Sequence, residues 1–155
     1  MKFVREVSGQ WSVVSSQWSV AKNLRNMART NFEKLRVYQL SETLADEVWD
    51  IVLNWKPFAR QTVGRQVVRS ADSIGANIAE GVGRGSYQDN RRFVRTARGS
   101  LNETKHWLRR AYRRRLLSGL QIEKLKGLLD NLSPQLNAYL KSIGVIAFAR
   151  TEDKS

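Results

Sequence analysis

SIGANIAEGVGRGS, residues 73–86, carries four glycines in fourteen positions, together with Arg84 and a closing serine. Glycines beside a basic residue can cradle a phosphate, or they can mark where a helix ends. The choice decides between a nucleotide-binding α/β fold and an all-α one. A phosphate loop of the GxxxxGK type, closed by Ser or Thr, follows a strand, precedes a helix and offers its lysine to the phosphates. This stretch follows a helical pattern, lacks the lysine and has the wrong glycine spacing. A dinucleotide fingerprint fails as well, for want of a βαβ context. Helix punctuation accounts for the stretch better. Gly81 follows the last apolar position of a helix and is expected to cap it in the left-handed conformation, where glycine has no Cβ to clash. Gly83 and Gly85 loosen the connection, and Ser86 with Asp89 is expected to cap the next helix. Gly75 lies inside the helix, at a cost of about 1 kcal/mol relative to alanine, so it is expected to mark close approach by another helix. Asn77 and Glu80 are expected either to make polar contacts at the helix end or to meet a partner.

The helical period extends in both directions. Val37, Leu40, Leu44, Val48, Ile51 and Trp55 recur at spacings of three and four, one apolar face of a helix about 20 residues long. Lys56-Pro57 ends it, because the residue before proline is pushed out of the helical region. Val63, Val67, Ser70, Ala71, Ile74 and Ile78 form a second stripe. Phe93, Val94, Ala97, Leu101, Leu108, Ala111 and Leu116 form a third. Ser118 and Gln121 fit a capping box opening a fourth stripe of Ile122, Leu125, Leu128, Leu129, Leu132, Leu136, Leu140 and Ile143, with a kink expected at Pro134. Four amphipathic helices with short connections predict an all-α, antiparallel up-down four-helix bundle over residues 31–145. The polar tail, 146–155, is expected to fray.

Residues 1–30 differ. VSGQWSV (7–13) is followed directly by VSSQWSV (14–20), a tandem heptapeptide with no helical stripe. Two copies cannot build a solenoid. The segment is expected to be a disordered extension. Met27 opens MARTNFEKLRVYQL, which reads as a natural domain start, so residues 1–26 are either native or translated upstream repeat.

The chain has 155 residues, enough for one domain with a real core. Cysteine is absent, which excludes disulfides and thiolate metal sites and fits a reducing cytoplasm. No apolar run approaches the roughly 20 residues of a membrane span, and no signal peptide is recognisable. The net charge of +13 is the loudest global signal, and a domain this basic associates with polyanions unless assembly consumes the charge.

Several pieces together resemble the four-helix bundle proteins encoded in intervening sequences of bacterial large-subunit ribosomal RNA genes. They are Ser73-Ile74, Asn77-Ile78-Ala79-Glu80-Gly81, Gly83-Arg84, the opening Phe32 to Val37, the Gln66 to Arg69 run, and Ala97 to Thr104. They span about residues 32–143. The resemblance implies a closed homo-oligomeric ring, a pentamer, and kinship with the accessory variability protein of diversity-generating retroelements, which binds nucleic acid and a reverse transcriptase.

Positive charge gathers in the third helix. Between Ser86 and Ser118 stand nine arginines and one lysine against Asp89 and Glu103, a surplus of eight out of thirteen. At about 100° per residue, Arg91, Arg95, Arg98, Lys105, Arg109 and Arg113 form a narrow stripe, with Arg92, Arg110 and Arg114 on its flank and Arg115 at the helix end. Guanidinium forks suit phosphate, so this face is expected to bind RNA or DNA through the backbone, without base readout. Its charge could instead be solvated, or paired between subunits with the acidic stripe of Glu42, Asp46 and Asp50. A third use is docking a protein partner such as a reverse transcriptase. Gly99-Ser100 is expected to be a packing notch, within the bundle or across an oligomer seam.

Catalytic constellations come up empty. His106 is the lone histidine, without a second anchor for a metal. Trp49, Trp55 and Trp107 could stack bases, but two fall on or beside apolar stripes and are expected in the core or between subunits. No enzymatic activity and no cofactor are expected.

Overall fold

The computed structural model describes residues 31–144. Both the extension expected over 1–30 and the tail expected to fray over 146–155 lie outside the described residues. Helix α1 spans Arg36–Leu53. Helix α2 is composite, running from Pro57–Ala59 through a π-helical turn at Arg60–Gly64 into Arg65–Gly83. Helix α3 spans Tyr87–Arg113 and α4 spans Gly119–Ser142. The described residues are all-helical, four helices without a strand.

The four apolar stripes close on one core. Leu44, Val48, Val67, Ile74, Ile78, Val94, Ala97, Leu132 and Leu136 are sealed inside it. Helix α1 packs on α2 and α4, α2 packs also on α3, and α3 meets α4. Proline at the first position of α2 needs no N–H there and has its φ preset for helix. Trp55, in the connection from α1 to α2, turns into the core.

Two of the helix starts follow local side-chain chemistry. Ser86 Oγ accepts the Asp89 N–H at 3.1 Å, satisfying one of the orphan donors of α3. Ser118 and Gln121 form the full capping box at α4, each side chain accepting the other's backbone N–H at 3.3 and 2.9 Å. Helix α4 continues through Pro134 to Ser142.

The glycine stretch is divided differently from the expectation. Gly81 is not a left-handed cap: α2 runs on to Gly83, and Gly81 is buried within it. A Cβ there would stand 2.7 Å from Asn90 Oδ1, 3.1 Å from Phe93 Cβ and 3.2 Å from the Asn90 carbonyl oxygen. It is the contact that lets α3 lie against α2. The left-handed residue of the connection is Gly85, with φ 74°. Gly75 does mark a close approach, facing Ser41 Oγ on α1 at 3.0 Å from its would-be Cβ.

Small and hydroxylated residues hold α2 and α3 together. Thr104 Oγ1 donates to Ser70 Oγ at 3.0 Å, and Ser70 Oγ donates to the Val67 carbonyl at 3.0 Å, all within the core. Thr104→Val keeps the shape and removes a hydroxyl that contacts both Ser70 Oγ and the Ser100 carbonyl, so it should cost about 1 kcal/mol in urea unfolding; an unchanged midpoint would show the hydroxyl to be energetically idle.

Helix α3 ends in a Schellman motif with arginine where glycine is usual. The Leu116 N–H reaches the Ala111 carbonyl and the Arg115 N–H reaches that of Tyr112, both at 3.0 Å. Arg115 pays for this with φ 58°. Relieving the Cβ strain by Arg115→Gly should raise stability by roughly 0.5–1 kcal/mol, read from the urea midpoint.

Candidate nucleic-acid interface

Helix α3 presents its core residues Val94, Ala97, Leu101, Thr104, Leu108 and Ala111 to α2 and the other helices. Its remaining circumference carries the cations. Arg92, Arg95, Arg98, Arg109, Arg110 and Arg113 are exposed on the helix, and Arg114 and Arg115 are exposed in the turn that follows. Asp89 in the first turn and Arg110 with Arg113 in the last complement the helix dipole, which accounts for part of this placement and not for its middle.

Three of the ten cations expected in the interface are partly engaged within the chain. Arg91 is half-buried and its Nη1 donates to the Ile143 carbonyl at 3.2 Å, tying α3 to the end of α4. Lys105 is half-buried and, with Arg109 and Tyr112, borders a cleft of about 350 Å³ between α3 and α4. Arg92 makes a loose ion pair with Asp89 at 3.7 Å and lies over the Phe93 ring, 5.2 Å from its centroid, as does Arg84.

The other seven have no ion-pair partner among the described residues. Among the described residues, the ion pairs are Arg84–Glu80, Arg92–Asp89, Lys124–Glu47 and Lys126–Asp130. None involves Arg95, Arg98, Arg109, Arg110, Arg113, Arg114 or Arg115. Glu103, the second acid of α3, lies 3.4 Å from the Trp107 indole N–H, which donates to it. The surface therefore holds several guanidiniums within a few helical turns, an arrangement that attracts polyanions and is screened by salt.

Asn77 and Glu80 find local partners. Asn77 Nδ2 donates to the Ser73 carbonyl at 2.7 Å, and Glu80 pairs with Arg84 at 2.5 Å. Gly99 is exposed, and among the described residues nothing lies within 4 Å of its would-be Cβ. Ser100 Oγ donates back to the Thr96 carbonyl at 3.2 Å.

The acidic stripe of α1 faces outward. Glu42, Asp46 and Asp50 are exposed, while Glu47 turns to Lys124 on α4. Burial, helped by a hydrogen bond to Glu42 and its charge, pushes the Tyr38 hydroxyl up to about 12, so the phenol stays protonated. Burial first, and then the Asp46 carboxylate, raises the carboxyl of Asp72 on α2. Among the described residues no group of three or more histidine or acidic side chains is placed to hold a metal ion, and no helix is long and apolar enough to cross a membrane.

The tryptophans separate. Trp55 is buried, Trp107 is half-buried, and Trp49 is 53% exposed. Its position one residue past Val48 could have shown this, since that step turns it about 100° from the core line.

Compared with known proteins, residues 33–138 match the family model described as 23S rRNA-intervening sequence protein. No curated protein matches the chain. Among solved structures, the chain is similar to a crystal structure of a protein with unknown function from the S23 ribosomal protein family of Bacteroides thetaiotaomicron. The identity is 24% and the TM-score 0.60, over 68% of this chain and 99% of that one. That likeness shows the fold. The family match covers most of the chain and reaches into all four helices, and by it the chain belongs to the 23S rRNA-intervening sequence protein family.

Proposed function

We propose that the chain is a non-enzymatic, cytoplasmic nucleic-acid-binding protein that grips RNA or DNA backbone through the arginine face of α3. The observation that carries it is the set of seven exposed arginines, from Arg95 to Arg115, without an acidic partner among the described residues. Nine arginines to one lysine favours phosphate recognition over solubility alone. The helices are read as an antiparallel up-down bundle, since the connections at 54–56, 84–86 and 114–118 are short.

The bundle is further proposed to close into a homo-oligomeric ring, in which such faces repeat and avidity rises. A pentamer, and kinship with the retroelement accessory protein, follow from the family resemblance of the quoted motifs. Exposed Glu42, Asp46 and Asp50 could neutralise only part of the face in a neighbouring copy.

Purification without nuclease, followed by a high-salt wash and sequencing of what is released, tests the function. Nucleic acid should leave with the salt; a preparation free of nucleic acid at low salt would count against it.

A further inference from the structure

Trp49 stands outside the core that Val48 helps to form. It borders a cleft of about 580 Å³ between α1 and α2, with Leu53 beside it and Arg60, Arg65 and Arg69 of α2 also on its lining. Both Trp49 and Leu53 are about half exposed, at 53% and 48%. The π-helical turn at Arg60–Gly64 adds a residue to the helical repeat, and Arg60, which opens it, and Arg65, which follows it, both reach the cleft. Arg65 and Arg69 stand one turn apart, about 6 Å. The acid on the lining is Asp72, where burial already disfavours the charged form.

A half-exposed indole with three arginines on the same lining matches a particular chemistry. An unpaired base offers a π-face to the indole, and its flanking phosphates offer charge to the arginines. A base inside a duplex cannot stack this way. We propose that this cleft is a single-strand nucleic-acid subsite, in which a base stacks on Trp49 and the adjoining phosphates are held by Arg60, Arg65 and Arg69. The inference rests on the reading of the protein as nucleic-acid binding, but uses a surface between α1 and α2 rather than the face of α3. It gives the protein a means of preferring unpaired segments.

The test titrates the full chain against a labelled single-stranded 20-nucleotide oligouridine and against a labelled duplex of equal length, with light scattering on each variant. Trp49→Ala should weaken oligouridine binding about 10-fold and change duplex binding less than about twofold. Trp49→Phe should keep most of the single-strand affinity. Arg65→Gln with Arg69→Gln, both at exposed positions, should weaken oligouridine binding by a similar factor at low salt.

Unchanged oligouridine binding in Trp49→Ala and in the arginine pair would overturn the proposal, as would equal losses for both ligands. A changed oligomeric state in Trp49→Ala would overturn it too, by showing that a second copy covers the cleft. If charge reversal at Arg95 and Arg98 leaves both ligands bound while Trp49→Ala still releases oligouridine, the α3 reading fails and the cleft stands. If the unaltered protein binds neither ligand, both fail.

Discussion

Reversing two charges in the middle of α3, Arg95→Glu with Arg98→Glu, should lower nucleic-acid affinity by about 100-fold at 50 mM salt. Both side chains are exposed and make no ion pair among the described residues, so the fold has little to lose. Each phosphate contact releases counterions, and removing two should flatten the plot of log affinity against log salt by about two units of slope. Fluorescence anisotropy over a salt series reads both quantities. An intact, folded double variant with wild-type affinity and slope would remove the α3 face from the interface. An equal loss of affinity at all salt concentrations would point to a non-electrostatic contact instead.

The second large effect is on stability. Gly81→Val should destabilise the protein by about 2–3 kcal/mol in urea unfolding. The added atoms meet the Asn90 side chain at 2.7 Å, and behind it the Asn90 carbonyl oxygen at 3.2 Å, a backbone atom that moves only if α3 moves. Asn90 is itself tied, since its Nδ2 donates to the Tyr139 hydroxyl at 3.3 Å. Because Gly81 is helical rather than left-handed, the loss comes from the clash and not from a forbidden backbone angle. A change below about 0.5 kcal/mol would mean that α2 and α3 do not approach as closely as described.

What could be read from the chain alone follows the range of the interactions. The stripes of Val37 to Ile51 and of Val94 to Ala111 place their helices, because burial imposes a period that local sequence carries. The caps at Ser86 and Ser118 are legible for the same reason: donor and acceptor lie three residues apart. Gly81 was not legible, because a glycine at a helix end and a glycine under a crossing helix leave the same local trace. Only the arrival of Asn90 and Phe93 separates them. The π-helical turn and the left-handed Arg115 likewise depend on packing rather than propensity.

The interface shows the same division. Helical arithmetic puts the arginines of α3 away from its core face, and the exposed set agrees. It could not show that Arg91 reaches the carbonyl of Ile143, 52 residues away. Small side chains suggested a notch at Gly99, yet the same arithmetic leaves that residue on the open side of α3, where nothing in the described chain approaches it. Trp49 is legible only when its one-residue offset from Val48 outweighs its hydrophobicity.

Arginine footprinting shows which guanidiniums of α3 the nucleic acid covers. The full chain is treated with an arginine-selective dicarbonyl reagent, with and without saturating RNA, and modification is read residue by residue by mass spectrometry. RNA should protect Arg95, Arg98, Arg109 and Arg110, and the protection should vanish at high salt. Unchanged modification of these four residues under saturating RNA would contradict the account.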